Sequence, residues 1–181
     1  MIAGEKRDTI YCPVAAWVTA LGRNKTIRTS MAIREWGEKN LGFDPYVYSD
    51  TDSIKCLLNK EQLEQIKNEG IVEVDDYLLG YWALEEEFDR ILCIRQKCYI
   101  TEENGRINPT IAGLPKYLTP IINFKNFKRG FTTAGLSIED LRKMAKENGA
   151  TDEEVEMIHH KTTYKHCNGG VVLVDTDFTI I

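Results

Sequence analysis

Residues 48–53 read Tyr-Ser-Asp-Thr-Asp-Ser and form the most informative stretch of this sequence. They lie between two short apolar runs, residues 46–48 and 54–58, a pattern typical of a β-hairpin with acidic residues at its turn. The carboxylates of Asp50 and Asp52, two residues apart, can point to the same side of a strand. At close range they repel each other, so that either one pKa rises or a cation binds between them.

This hairpin turn is suited to phosphoryl transfer with two metal ions, because the metals must clamp the attacking and leaving oxygens. The alternative is an acidic turn without chemistry, since aspartate is a common turn residue. For an isolated Asp-x-Asp that alternative is favoured, whereas the full six-residue pattern between two apolar strands favours a metal site.

Composition sets broad limits on the protein. The chain has 181 residues, 43% of them hydrophobic and 28% charged, which is typical of one good-sized globular domain or of a domain with a small appendage. No apolar run approaches the length of a membrane span. The five cysteines form no Cys-x-x-Cys pair, which argues against a zinc site and favours a reducing cytoplasm. A net charge of −5 argues mildly against nucleic-acid binding, although local basic clusters occur.

A long helix is predicted over residues 13–39, where an apolar stripe including Trp17 and Leu21 follows the helical spacing. Thr19, Gly22 and Arg23 are three and four residues apart and share another face of this helix, which Thr26 continues. Glycine inside a helix costs about 1 kcal/mol relative to alanine, and close approach of a sugar-phosphate backbone would offset that cost. The hydroxyl and guanidinium could then donate to phosphate oxygens, but spacing alone favours an ordinary solvated face.

Two further segments are predicted from their patterns. Residues 90–101 are typical of a strand in which Lys97 and Tyr99 share one face and Cys98 points to the core, an arrangement that suits a DNA backbone or simply a half-exposed strand. Residues 80–85 also suggest a strand, and residues 123–130 a short helix. Capping boxes predict helices after Ser137 and Thr151, and residues 161–180 predict a final hairpin.

Four motifs occur in one order along the chain: Thr-x-x-Gly-Arg at 19–23, the acidic stretch at 48–53, Lys-x-Tyr at 97–99 and Gly-Gly-Val-Val-Leu-Val at 169–174. This order resembles the C-terminal part of the protein-primed family B DNA polymerases of phages. The segment Tyr11-Cys12-Pro13 is also similar to that family, and the likeness covers nearly the whole chain.

The resemblance implies an α+β fold. Residues 1–130 would be the C-terminal half of a polymerase palm, an antiparallel sheet backed by helices. Residues 131–181 would be a small thumb containing helices and a β-hairpin. The site roles that it implies are metal ligation by Asp52 with Asp50 as its partner, framing of the turn by Tyr48, Thr51 and Ser53, template contact by Thr19, Gly22 and Arg23, and primer stabilisation by Lys97 and Tyr99.

The same resemblance implies a DNA-directed DNA polymerase that uses Mg²⁺ or Mn²⁺ and acts in the cytoplasm of a bacterial host. Its partners would be primer-template DNA, deoxynucleoside triphosphates and a terminal protein primer, with no membrane.

The family's other metal-ligating aspartate, in an Asp-x-x-Ser-Leu-Tyr-Pro motif, is not in this sequence, and neither is its nucleotide-binding helix. The chain therefore resembles a fragment that is inactive alone. A non-catalytic module that binds primer-template DNA, or a small interaction domain, remains an alternative.

Overall fold

A computed structural model describes residues 12–181, with the side chains described from Pro13 onward. The α-helices are α1 (Cys12–Asn40), α2 (Lys60–Asn68), α3 (Ile138–Glu147) and α4 (Asp152–Glu156), and Lys116–Ile121 is a 3-10 helix. The strands are β1 (Tyr46–Asp50), β2 (Ser53–Cys56), β3 (Arg90–Arg95), β4 (Cys98–Glu103), β5 (Arg106–Ile111), β6 (Lys161–Cys167) and β7 (Gly170–Thr176). They form three antiparallel sheets, in the orders β1-β2, β3-β4-β5 and β6-β7. The predicted α+β class is confirmed.

The chain divides into two compact units, one ending at Glu85 and the other running from Glu86 to Ile181. This division does not coincide with the predicted palm–thumb boundary near residue 130. That boundary stays a prediction. In the second unit, residues on both sides of that predicted boundary, such as Ile121 and Leu141, share one buried core.

The first unit is built around helix α1. The helix was predicted over residues 13–39 and occupies nearly that range. Its second half supplies Ile33 and Trp36 to a core completed by Ile66 of α2 and by Val72. The buried Gly37 lets the loop before β1 approach closely, since a Cβ at this position would collide with the ring of Pro45.

The apolar stripe in the first half of α1 lies outside this core. Val14, Trp17, Val18 and Leu21 are 50–64% exposed. Instead, Thr26 and Ser30 are buried. The Ser30 hydroxyl donates to the Thr26 carbonyl oxygen four residues earlier, and the Thr26 hydroxyl shares its single proton between the Gly22 carbonyl oxygen at 3.1 Å and the Thr51 carbonyl oxygen at 2.9 Å. Small hydroxyl side chains that satisfy themselves on their own helix let another segment pack tightly against this face.

In the second unit, two sequence predictions need correction. Residues 90–101 form two strands rather than one, because the chain reverses at Gln96 and Lys97, and Lys97 adopts a left-handed φ of 54°. The turn contains no glycine or asparagine, the usual residues of a tight hairpin turn, so the sequence pattern does not predict it. Cys98 is fully buried, as predicted. Residues 123–130 form turns instead of a helix.

In the first unit, the strand predicted over residues 80–85 is reduced to a single parallel bridge between Val74 and Trp82. Both predicted capping boxes of the second unit are confirmed, with Ser137 accepting from the Asp140 amide and Thr151 from the Glu154 amide. The predicted terminal hairpin is also present, although β7 ends at Thr176.

Candidate active site

The acidic stretch forms the closed end of the β1–β2 hairpin. Asp50 pairs with Ser53, so that Thr51 and Asp52 are the two residues of the turn. The Ser53 hydroxyl donates to the Asp50 carbonyl oxygen at 3.2 Å, and the Thr51 hydroxyl donates to the Asp50 carboxylate at 3.2 Å. Asp52 is exposed and Asp50 is half-buried. The prediction of a surface turn carrying both carboxylates is confirmed.

Thr51 holds a strained backbone at the tip of this turn. Its φ is 39°, in the left-handed region that a β-branched residue rarely adopts. Such strain costs on the order of 1–3 kcal/mol and persists only where the surroundings hold it in place. Here the hydroxyl of Thr26 on α1 donates to the Thr51 carbonyl oxygen at 2.9 Å. The turn is therefore fastened to the helix at its most strained residue.

The open end of the hairpin is fastened to the same helix. Arg34 of α1 lies 2.7 Å from the Asp44 carboxylate, which also accepts a hydrogen bond from the Tyr46 amide at 2.9 Å. The Arg34 guanidinium lies 5.5 Å from the centre of the Tyr46 ring. Between the two ends, Tyr48 is buried. Helix α1 thus fixes the hairpin at both ends, and the sequence reasoning missed Thr26, Arg34 and Asp44 in this role.

The predicted template-contact residues lie on the N-terminal half of α1. Thr19, Gly22 and Arg23 are exposed, and the Thr19 hydroxyl donates to the Ala15 carbonyl oxygen at 2.8 Å. No atom lies within 4 Å of the position that a Cβ would occupy at Gly22. Helical spacing carries this face on to Thr26, the residue that contacts the turn. The structure therefore places these three residues on the side of α1 that faces the acidic turn.

The predicted primer-contact residues belong to the second unit. Lys97 is exposed in the β3–β4 turn, and its carbonyl oxygen accepts a hydrogen bond from the Ala112 amide at 2.7 Å. Tyr99 is half-buried in the central strand of its sheet, between Cys93 and Thr110. The two residues therefore do not share a strand face as predicted, because Lys97 lies in the turn.

The chemistry of the turn suits a hard divalent cation. Mg²⁺ prefers oxygen ligands and near-octahedral geometry, and the carboxylates of Asp50 and Asp52 are ligands of this kind. Across residues 12–181, however, no group of three or more His, Cys, Asp or Glu side chains is arranged to hold a metal ion.

The chain is similar to the DNA polymerases of several Bacillus phages. It is 30% identical to the DNA polymerase of phage B103 and 33% identical to that of phage phi29, in each case over 97% of this chain. The fold matches phi29 DNA polymerase, solved in a ternary complex with primer-template DNA and incoming nucleotide, with a TM-score of 0.63 and 28% identity over 94% of this chain. The chain is homologous to the C-terminal part of phi29-like phage DNA polymerases.

The homologous part is a minor share of those polymerases. The chain spans 27% of the length of the curated relatives it matches and 26% of the solved phi29 polymerase chain. No protein-family model matches the chain. Among the described residues, no helix is both long enough and apolar enough to cross a membrane.

Proposed function

We propose that this chain is the C-terminal palm–thumb part of a DNA-directed DNA polymerase and carries one wall of a two-metal site for template-directed nucleotidyl transfer. The observation that carries the proposal is the exposed turn with Asp50 and Asp52, in a chain homologous to phage DNA polymerases along nearly its whole length. A two-metal site needs carboxylates at the point where the phosphoryl group is transferred, and this turn presents two.

Within this proposal, Asp52 ligates Mg²⁺ or Mn²⁺ and Asp50 is its partner, while Tyr48, Thr51 and Ser53 frame the turn. Bound metal ions would neutralise the charge that develops on the transferring phosphoryl group. The chain's own contribution is to hold the two carboxylates outward, through the bond from Thr26 to the Thr51 carbonyl oxygen. At least one facing ligand comes from outside the described residues.

The proposed partners follow from the same assignment. Thr19, Gly22 and Arg23 contact the template strand, and Lys97 and Tyr99 stabilise the primer. The palm would extend to residue 130 and the thumb would begin at residue 131. Deoxynucleoside triphosphates are the substrates, and a terminal protein serves as primer through regions outside this chain. The phage origin of the relatives supports action in the cytoplasm of a bacterial host.

A chimera tests the catalytic assignment, with these residues replacing the homologous C-terminal part of phi29 DNA polymerase. We expect Asp52→Asn to abolish primer extension while primer-template binding survives, because the metal clamp acts on the phosphoryl group and not on the duplex. The second Asp-Thr-Asp sequence of the chain supplies a matched control, since Asp177 is exposed just beyond strand β7. Asp177→Asn should keep extension. Near-normal extension by Asp52→Asn would refute the assignment.

A non-catalytic module that binds primer-template DNA is the second candidate, favoured by the fact that residues 12–181 hold no three-ligand metal cluster. Two carboxylates alone should bind Mg²⁺ with an affinity of order millimolar or poorer. Both candidates predict that the 181-residue chain alone extends no primer. The two candidate functions differ in the chimera. Only the polymerase hypothesis predicts primer extension that depends on Asp52.

A further inference from the structure

The sequence contains three Asn-Gly pairs, at residues 104–105, 148–149 and 168–169. In such a pair the backbone amide nitrogen of the glycine can attack the side-chain carbonyl carbon of the asparagine, because the glycine has no side chain to hinder the approach. A C–N bond forms, ammonia leaves, and water then opens the resulting succinimide ring to aspartate or isoaspartate. The reaction is faster where the side-chain amide is not hydrogen-bonded and where the backbone can rotate to close the ring.

The pair at the end of α3, Asn148 and Gly149, is held at both reacting groups. The Asn148 side chain donates to the Pro120 carbonyl oxygen at 2.8 Å and accepts from the Asn123 side-chain amide at 2.6 Å. The Gly149 amide, which would be the nucleophile, donates to the Lys146 carbonyl oxygen at 3.0 Å. Ring closure at this pair has to break these hydrogen bonds, so the fold protects Asn148.

The second pair, Asn104 and Gly105, is held through its backbone. It is the two-residue turn between β4 and β5, since Glu103 pairs with Arg106. Both turn residues have left-handed backbones, with φ values of 51° and 80°, and the Asn104 amide donates to the Asp89 carboxylate at 2.9 Å. The turn also belongs to a three-stranded sheet whose central strand contributes to the buried core. The backbone rotation that ring closure needs is therefore opposed on several sides.

The third pair, Asn168 and Gly169, lacks restraints of this kind. It is the two-residue turn between β6 and β7, because Cys167 pairs with Gly170. Both turn residues are exposed, and within the part of the chain that the structure describes the Asn168 side chain forms no hydrogen bond. Strands β6 and β7 form a sheet of their own and are exposed along most of their length. A two-stranded hairpin by itself is only marginally stable in water, so this turn opens readily.

We propose that Asn168 is the deamidation site of this chain and that the fold protects the other two Asn-Gly pairs. Both products place a carboxylate at the tip of the β6–β7 hairpin. Isoaspartate also adds an extra carbon atom to the backbone of a turn whose length sets the strand register, so it loosens the adjacent pairing of Cys167 with Gly170. This chemistry requires neither the acidic turn nor DNA, and it therefore stands apart from the proposed function.

Ageing of the purified 181-residue chain at mildly alkaline pH tests the proposal, with peptide mass spectrometry to follow each asparagine separately. In the folded chain, Asn168 should deamidate at least about tenfold faster than Asn104 and Asn148, because local opening at the two protected pairs costs more free energy. The chain unfolded in urea is the matched control, since the three pairs are then equally unrestrained and their rates should converge. Asn168→Ser should remove the fast deamidation and leave the rates at Asn104 and Asn148 unchanged.

Equal rates at the three pairs of the folded chain, or a faster reaction at Asn104 or Asn148, would overturn the proposal. So would a preference that is just as large in urea, because it would then come from neighbouring residues and not from the fold. Hydrogen exchange checks the effect on the hairpin: isoaspartate at position 168 should speed exchange of the amides of residues 161–176. Asn168→Asp, which adds the carboxylate without the extra carbon atom, should not, and equal loss of protection in both would contradict the effect on register.

Discussion

The Thr26 hydroxyl lies 2.9 Å from the Thr51 carbonyl oxygen, and this hydrogen bond joins helix α1 to the turn that carries both carboxylates. Thr26 is buried and Thr51 has a left-handed backbone, so the hydrogen bond anchors a strained turn to the buried face of the helix. The same helix presents Gly22 and Arg23 one turn earlier. A single element therefore positions the acidic turn and the proposed template contacts.

Replacing Thr26 should loosen this attachment. Thr26→Val keeps the shape of the side chain but removes the donor to the Thr51 carbonyl oxygen, which should lower the free energy of unfolding by about 1 kcal/mol. Thr19→Val is the control, because the exposed Thr19 hydroxyl bonds only within its own helix, to the Ala15 carbonyl oxygen. Urea unfolding measures both variants. Equal effects would mean that the Thr26 bond to the turn does not stabilise the fold.

The two glycines of α1 should respond in opposite directions to alanine. Gly22→Ala should stabilise the chain by about 0.5–1 kcal/mol, because its Cβ would meet no atom within 4 Å and alanine favours the helix. Gly37→Ala should destabilise the chain by about 1–3 kcal/mol, because its Cβ would collide with Pro45.

If the proposed template contact is correct, Gly22→Ala should also weaken primer-template binding by the chimera despite the gain in stability. Thermal or urea unfolding and a DNA titration separate the two effects. Unchanged DNA affinity would mean that Gly22 lies on an ordinary solvated helix face and does not contact the template.

The proposed phosphate contacts predict a particular salt dependence. Arg23→Ala and Lys97→Ala should each weaken primer-template binding by the chimera and lower the slope of log affinity against log salt by about 1. Lys39→Ala provides the control, since Lys39 is exposed in the last turn of the same helix as Arg23. Titrations at several salt concentrations give the slopes. Slopes that match the control would exclude both residues as phosphate contacts.

The capping boxes predict that acid weakens the second unit. Hydrogen bonds from Ser137 lower the pKa of Asp140 below its ordinary value of 3.8, and the Thr151 amide lowers that of Glu154 below 4.5. Because both pKa values are lowered in the folded state, the stabilisation is present above about pH 4.5 and is lost as the pH falls through the folded-state values. Asp140→Asn should therefore show less acid destabilisation in urea unfolding between pH 6 and pH 3. A loss as large as that of the unchanged chain would contradict the cap assignment.

Local patterns determined much of this protein from sequence. The hairpin at residues 46–56, the long helix, both capping boxes and the terminal hairpin depend on neighbouring residues, and each was predicted correctly in kind. The turn at Lys97 was missed because its left-handed residue is a lysine and not glycine or asparagine. The sequence predicts a strand over residues 80–85, but the structure has only one bridge there, between Trp82 and Val74. This pairing depends on a segment outside the predicted strand.

Only the tertiary structure decided which face of α1 packs against the hairpin. The apolar stripe in the sequence includes Trp17 and Leu21, whereas the buried face of the helix is made of Thr26, Ser30 and Ile33. The small side chains of Thr26 and Ser30 allow close approach, and Ile33 belongs to the core. The sequence by itself determined that Asp50 and Asp52 lie at an exposed turn, because strand pairing and turn chemistry are local. How that turn is held depends on contacts between residues 25 positions apart, such as Thr26 and Thr51, and these form only when the chain folds.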